Sequence, residues 1–238
     1  MKIVYLKKQV VYVILIIIIT IIFLGLGLLG LRIKNRDSET FVSDLYYNGN
    51  IDKKIIAFAC NVDWGEEYIP YLLDVLEEEN IFITFFVTGK WAEKNSLLLM
   101  EIHSRGHEIG NHGYFHKDYG KLNYEQNREQ IEKCHNIIYN ALNVDCKYFA
   151  PPSGSFNDNT IKAANDLNYD IIMWSIDTID WRKDTTETMI VERILSKAHN
   201  SAIVLMHPTE NTIKALPNVI KTLKNDGYFI GKISNVIK

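Results

Sequence analysis

Residues 10–31 carry no charged side chain, and only Thr20 and glycines 25, 27 and 30 interrupt their run of Val, Ile, Leu, Tyr and Phe. A helix of that length spans a hydrocarbon core of about 30 Å, so the pattern predicts one N-terminal transmembrane helix. Lys2, Lys7 and Lys8 precede the run, and Arg32, Lys34 and Arg36 follow it. The basic flanks nearly balance, and the N-terminal amine tips the reading toward an inside N-terminus. Gly25-Leu26-Gly27 is a poor cleavage signal, and no cysteine is placed to take a lipid, so the anchor reads as uncleaved. The chain then divides into a cytoplasmic tail (1–9), an anchor (10–31), a polar linker (32–52) and an extracytoplasmic domain (53–238) of a single-pass cell-membrane protein.

From Lys53 the pattern changes to short apolar runs alternating with amphipathic stretches. The runs predict strands over Lys54–Cys60, Phe82–Val87, His107–Gly110, Lys147–Ala150, Tyr169–Trp174, Ala202–Met206 and Tyr228–Gly231. Between them, spacing of three and four predicts helices over Glu66–Glu79, Trp91–Ser104, Asn123–Leu142, Asn157–Leu167, Thr186–Ala198 and Thr212–Asn225. In the first of these, Ile69, Leu72, Leu73 and Leu76 recur on one face. This alternation specifies an α/β fold with about seven parallel strands in a distorted (β/α) barrel. An open doubly wound sheet is the alternative.

Charge narrows the partners. The net charge is −3, no element carries a basic stripe, and no nucleic-acid motif is present, so no nucleic-acid partner is expected. The three cysteines show no C-x-x-C spacing, which excludes a zinc ribbon or a dithiol redox motif. Cys60 reads as a buried apolar residue; pairing of Cys134 with Cys146 is left open. The 13 tyrosines suit a core and a carbohydrate cleft equally. Nothing in the sequence sets the oligomeric state.

The chemistry gathers where predicted strands end, which in a parallel barrel is one face. Asn61 and Asp63 end the first strand. His112 and His116 follow the third, four residues apart, a spacing that in a helix or helix-like turn stacks two imidazoles on one face. Pro151-Pro152-Ser153-Gly154 follows the fourth, Asp177 and Asp180-Trp181 the fifth, and His207 ends the sixth. Two histidines and Asp63 form the donor set of a mononuclear metal site with positions open for water. His107 and Glu108 read as packing residues.

Four stretches of residues 53–238 resemble the polysaccharide deacetylase family, carbohydrate esterase family 4. They are Ile83-Thr84-Phe85-Phe86-Val87-Thr88-Gly89, His112-Gly113-Tyr114-Phe115-His116, Ile176-Asp177-Thr178-Ile179-Asp180-Trp181 and Val204-Leu205-Met206-His207. The resemblance implies a metal-dependent hydrolase that removes N-acetyl groups from an amino-sugar polymer, peptidoglycan or chitin-like. It implies one divalent metal, zinc before cobalt, nickel or manganese, on Asp63, His112 and His116. His207 matches the acid that protonates the leaving amine, and Asp180 the carboxylate that orients it. Trp181 and Leu205 match the acetyl pocket; Pro152 is placed in the substrate groove, and Trp64 and Tyr114 are read there as rings that stack on sugars, with aromatic core packing as the alternative for both. The form Asn-Val-x-Trp-Gly-Glu-Glu with Ala-Pro-Pro-Ser-Gly resembles a sporulation-associated branch.

Three positions depart from the family. Gly113 stands where the family has Ser or Thr. Asn61 holds the place nearest the family's base Asp, and an amide cannot accept a proton from water. Ala150 stands for the Arg that pairs with that Asp. An Arg without its carboxylate would be a buried unpaired charge, so the two losses are consistent. Two readings follow: an impaired N-deacetylase, or a catalytically inactive, metal-retaining protein for glycan binding or assembly.

Overall fold

The computed structural model describes residues 17–22 and 45–238. Residues 17–22 are helical and exposed. The rest of the expected anchor, the tail and residues 32–44 lie outside the described residues. No helix among the described residues is long and apolar enough to cross a membrane. The chain divides into two units, Met1–Val42 and Ser43–Lys238; the site lies in the second.

Nine strands form one sheet: β1 (Leu45–Tyr46), β2 (Ile55–Val62), β3 (Thr84–Val87), β4 (Glu108–Asn111), β5 (Tyr148–Phe149), β6 (Asp170–Ile172), β7 (Ile176–Asp177), β8 (Ile203–Met206) and β9 (Phe229–Gly231). The helices are α1 (Ile69–Glu78), α2 (Gly89–Lys94), α3 (Ser96–Ser104), α4 (Tyr124–Leu142), α5 (Asp158–Asp166), α6 (Glu187–Leu195) and α7 (Glu210–Asn225). The strand order is β1-β6-β5-β4-β3-β2-β8-β7, with β9 also on β2, and every ladder is parallel. Ala57 pairs with both β8 and β9. It follows that β9 occupies the side of β2 that β3 takes further along.

The result is a curled, parallel half-barrel, in keeping with the expected distorted barrel. Alternation along β2 sends Ile56, Phe58, Cys60 and Val62 to the large core beneath the helices. Ala57 and Ala59 face a smaller cluster with Phe86, Ala150, Ile172, Ile203, Ile233 and Val236.

Two strands escape the sequence pattern. Leu45–Tyr46 lies in the stretch read as linker, and it pairs with β6. Beyond it, Asn48 bridges Ala202, Gly49 N–H donates to the Ser201 carbonyl (2.8 Å), and Asn50 N–H donates to the Val236 carbonyl (2.9 Å). Residues 45–50 therefore belong to the barrel and its floor. A Cβ at Gly49 would overlap the Val236 backbone, so only glycine allows this approach. Asn50 and Lys238 also bond reciprocally, Nδ2–H to carbonyl at 3.3 Å and N–H to Oδ1 at 3.0 Å.

The other unpredicted strand, Ile176–Asp177, pairs with β8. The expected helix Trp91–Ser104 is two helices, α2 and α3. Asn95 breaks it at φ −119°, ψ 41°, and its side-chain amide donates to the Trp91 carbonyl (3.2 Å). Cys60, Cys134 and Cys146 are all free and buried, so the open pairing of Cys134 with Cys146 is not formed.

Candidate functional site

The expected residues do gather at the C-terminal ends of the strands. Asn61 is on the inward row of β2, 5 % exposed, and its Oδ1 has no hydrogen-bond partner. Two positions on, Asp63 Oδ1 accepts from Thr88 Oγ1 (2.8 Å). The same hydroxyl oxygen accepts from Trp91 N–H (3.3 Å) and caps α2.

His112 and His116 sit in the loop after β4, not on a helix. Their rings approach to 5.3 Å between centroids, 68° apart in plane. Gly113, at φ +74°, turns the loop between them, and a Cβ there would overlap the Tyr119 hydroxyl. A side chain of the family's Ser or Thr type is excluded on both counts. His112 is 1 % exposed, and its Nδ1 lies 2.7 Å from the Ala150 carbonyl. That carbonyl can only accept, so Nδ1 carries the proton and Nε2 presents a lone pair. Burial, helped by the neighbouring His116, pushes the His112 imidazole down to about 3, so it is neutral at physiological pH.

The opposite wall is more tightly bonded. Asp180 Oδ1 accepts from His207 Nδ1 (2.7 Å). Its Oδ2 accepts from the His207 backbone N–H (2.7 Å) and from Thr212 Oγ1 (2.6 Å). Ile179, a β-branched residue at φ +56°, aims Asp180 inward. Such a conformation costs about 1–3 kcal/mol. Asp177 helps hold it, its Oδ1 accepting from Ile179 N–H (2.7 Å). Trp64 lies flat on His207, centroids 5.9 Å apart and planes within 5°.

Two cavities flank His116. One, of 350 Å³, is lined by Asn61, His116, Ser153, Trp174, Asp177, Trp181, Leu205 and His207. The other, of 460 Å³, is lined by Asp63, Trp64, Glu66, Lys90, Trp91, Lys94, Phe115 and His116. Trp64 and Trp181 are 43 % and 56 % exposed, as an aromatic platform for a sugar requires. Tyr114 and Pro152, expected in the groove, line neither cavity. Tyr114 is 8 % exposed and part of the main core, with its hydroxyl donating to Glu93 (2.9 Å); its neighbour Phe115 takes the rim instead. A third cavity, of 380 Å³, surrounds His107, Glu108, Cys146 and Lys232. His107 there is structural, its Nδ1 accepting from Ile83 N–H (3.2 Å).

The two imidazoles suit a divalent cation by proximity, and His112 also by its tautomer. The third donor does not join them: among the described residues no group of three or more His, Cys, Asp or Glu side chains is placed to hold a metal. The set Asp63, His112 and His116 is therefore not assembled as a three-donor cage. What is assembled is the hydrogen-bonded pair of His207 and Asp180, with His207 sharing a cavity with the amide of Asn61.

Several parts of the site had no sequence signal. Thr88 and Thr212 act through hydroxyls reaching across the fold, and Ala150 acts through its backbone carbonyl. Trp174 lines one cavity from the end of a strand read only for its core pattern, and Lys90 lines the other from a position between two predicted elements.

A polysaccharide deacetylase family model matches residues 48–172. YlxY of Bacillus subtilis (strain 168), an uncharacterized protein, is 40 % identical over 199 residues, 84 % of this chain and 62 % of YlxY. The chain thus spans less than two thirds of that relative. A peptidoglycan-N-acetylglucosamine deacetylase of Bacillus cereus is 32 % identical over 186 residues, 76 % of this chain and 67 % of that one. Among solved structures, BA3943, a CE4-family pseudoenzyme of Bacillus anthracis, superimposes with a TM-score of 0.79 at 39 % identity, covering 82 % of this chain and 69 % of its own. A BA3943 mutant described as having restored enzymatic activity matches with the same TM-score at 37 % identity, covering 82 % and 71 %. On the matched model, these relatives and the shared barrel, the chain belongs to the polysaccharide deacetylase family, carbohydrate esterase family 4.

Proposed function

We propose that this chain binds an amino-sugar polysaccharide of the peptidoglycan type in the cleft around His116, with a hydrolytic site that is incomplete. The observation that carries this reading is the dismantled water-activating wall. Asn61 stands unpartnered, Ala150 offers only its backbone, and the expected metal donors do not converge. The likeness to BA3943, described as a pseudoenzyme, supports it, and the likeness to a peptidoglycan deacetylase supports the substrate class. Trp64, Trp181 and Phe115 supply exposed rings on which sugar faces rest, and Leu205 floors the adjoining pocket.

A second reading, a working N-deacetylase, is favoured by one feature, the Asp180–His207 pair. In that reading His207 protonates the departing amine while Asp180 holds the ring in place. A bound divalent metal would supply Lewis-acid polarisation of the acetamide, with His112 and His116 as its protein donors. The two readings separate in one assay. Purified full chain is mixed with peptidoglycan and zinc; sedimentation with the polymer and released acetate are both measured. We expect co-sedimentation that Trp181→Ala weakens, and no acetate beyond that of His207→Ala. Acetate release by the wild type that His207→Ala abolishes would establish the second reading; absence of co-sedimentation would end the first.

A further inference from the structure

Trp64 lines one of the two cavities that flank His116 and stacks on a histidine of the other. It lines the larger one beside Asp63 and His116, and its indole lies on His207. His207 and His116 share the smaller cavity. Position 64 is thus bracketed by the acid histidine and by one member of the imidazole pair. It directly follows Asp63, whose carboxylate is engaged by Thr88. The imidazole pair itself is prepared, since the Ala150 carbonyl fixes His112 with its Nε2 lone pair available. Only the third donor fails to join the group.

We propose that position 64 is where a third metal donor would stand, and that the indole replaces it. The chain then retains a two-imidazole half-site, which holds a divalent cation weakly. Indole has an N–H to donate and no lone pair for a metal, whereas catalytic zinc sites use three protein ligands plus water. In place of a ligand, Trp64 gives His207 a flat apolar support and gives the cleft an exposed ring. The inference does not depend on which glycan binds or whether one does, because metal affinity is read without any polysaccharide.

The test is a zinc titration of the purified full chain in competition with a chromophoric chelator. Trp64→Asp should bind zinc about 100-fold more tightly than wild type, at or beyond the 10- to 100-fold attached to a metal ligand's outer partners. Adding His112→Ala should abolish the gain, and Trp64→Phe should stay at the wild-type affinity. If Trp64→Asp fails to fold, Trp64→His offers a neutral donor at the same position and should tighten binding likewise. Tight one-to-one zinc binding by wild type that Asp63→Ala removes would overturn the inference. A folded Trp64→Asp with unchanged zinc affinity would do the same.

Discussion

On one wall of the cleft, both oxygens of Asp180 are taken, by the ring and backbone of His207 and by the Thr212 hydroxyl. On the other wall, Asn61 Oδ1 meets nothing, Ala150 lends a carbonyl, and Asp63 turns to Thr88. The contrast shows which parts of a site a fold can shed. Asp180 ties the β7–α6 loop to the end of β8 and to the first turn of α7. Removing it would strand the His207 backbone N–H and ring Nδ1, whatever the protein's chemistry. The presence of the His207–Asp180 pair is thus weak testimony for catalysis. Asn61 Oδ1 and the Ala150 side chain, by contrast, tie no other element together. With the family's Asp and Arg both absent, the barrel interior closes over an alanine without an unpaired charge.

The largest test of this contrast is acid. His107 and His112 flank β4, and burial pushes them to about 4 and about 3, while the unfolded chain charges such rings near 6.5. As pH falls below about 6.5, the unfolded state takes up protons that the folded state refuses. The stability these neutral rings contribute is therefore present above 6.5 and lost as pH drops toward 4 and then 3. Each should remove roughly 2 kcal/mol between pH 6.5 and 4.5, read from urea unfolding at the two pH values. A flat profile would mean that the half-built wall does not need a neutral His112.

Next comes the same truncation on both walls. Asp180→Ala should cost about 3 kcal/mol, because it leaves buried donors without an acceptor. Asn61→Ala should cost less than about 1 kcal/mol, since no bond to its Oδ1 is lost. Equal shifts in thermal melting would erase the distinction between the walls. Between these two effects lies Gly113, where Ala meets both a left-handed backbone and the Tyr119 hydroxyl. We expect a loss of about 2 kcal/mol, which adding Tyr119→Phe should not recover, because the ring carbon Cζ still meets the new Cβ. Recovery by Tyr119→Phe would assign the cost to the hydroxyl alone.

Most of the barrel was legible because β2, β3 and β8 are largely apolar runs followed by helices. Leu45–Tyr46 and Ile176–Asp177 were not, because two-residue strands carry no period. The first also sits in polar surroundings that read as linker. The helix break at Asn95 follows from one side-chain amide reaching a carbonyl, which spacing does not reveal. At the site, His112, His116, Asp63, Asp180 and His207 were legible through their positions at strand ends. Their quality as a site was not. Spacing could not tell that the His pair rides on a glycine-turned loop, that Ala150 fixes a tautomer, or that Trp64 lies against His207. These are contacts across the fold, between residues with no common period.

The floor of the barrel has a consequence for how the protein is made. Asn50 bonds Lys238 across 188 positions, and β2 receives β8 and β9 only from the far end of the chain. At translation speeds of about 5–20 residues per second, β2 leaves the ribosome roughly 10 to 30 s before β9. For that interval its apolar edge has no β8 or β9 to cover it, and contacts so distant in sequence form slowly. A ribosome stalled before residue 200 would therefore hold a chain that lacks β8 and β9 and cannot close its barrel.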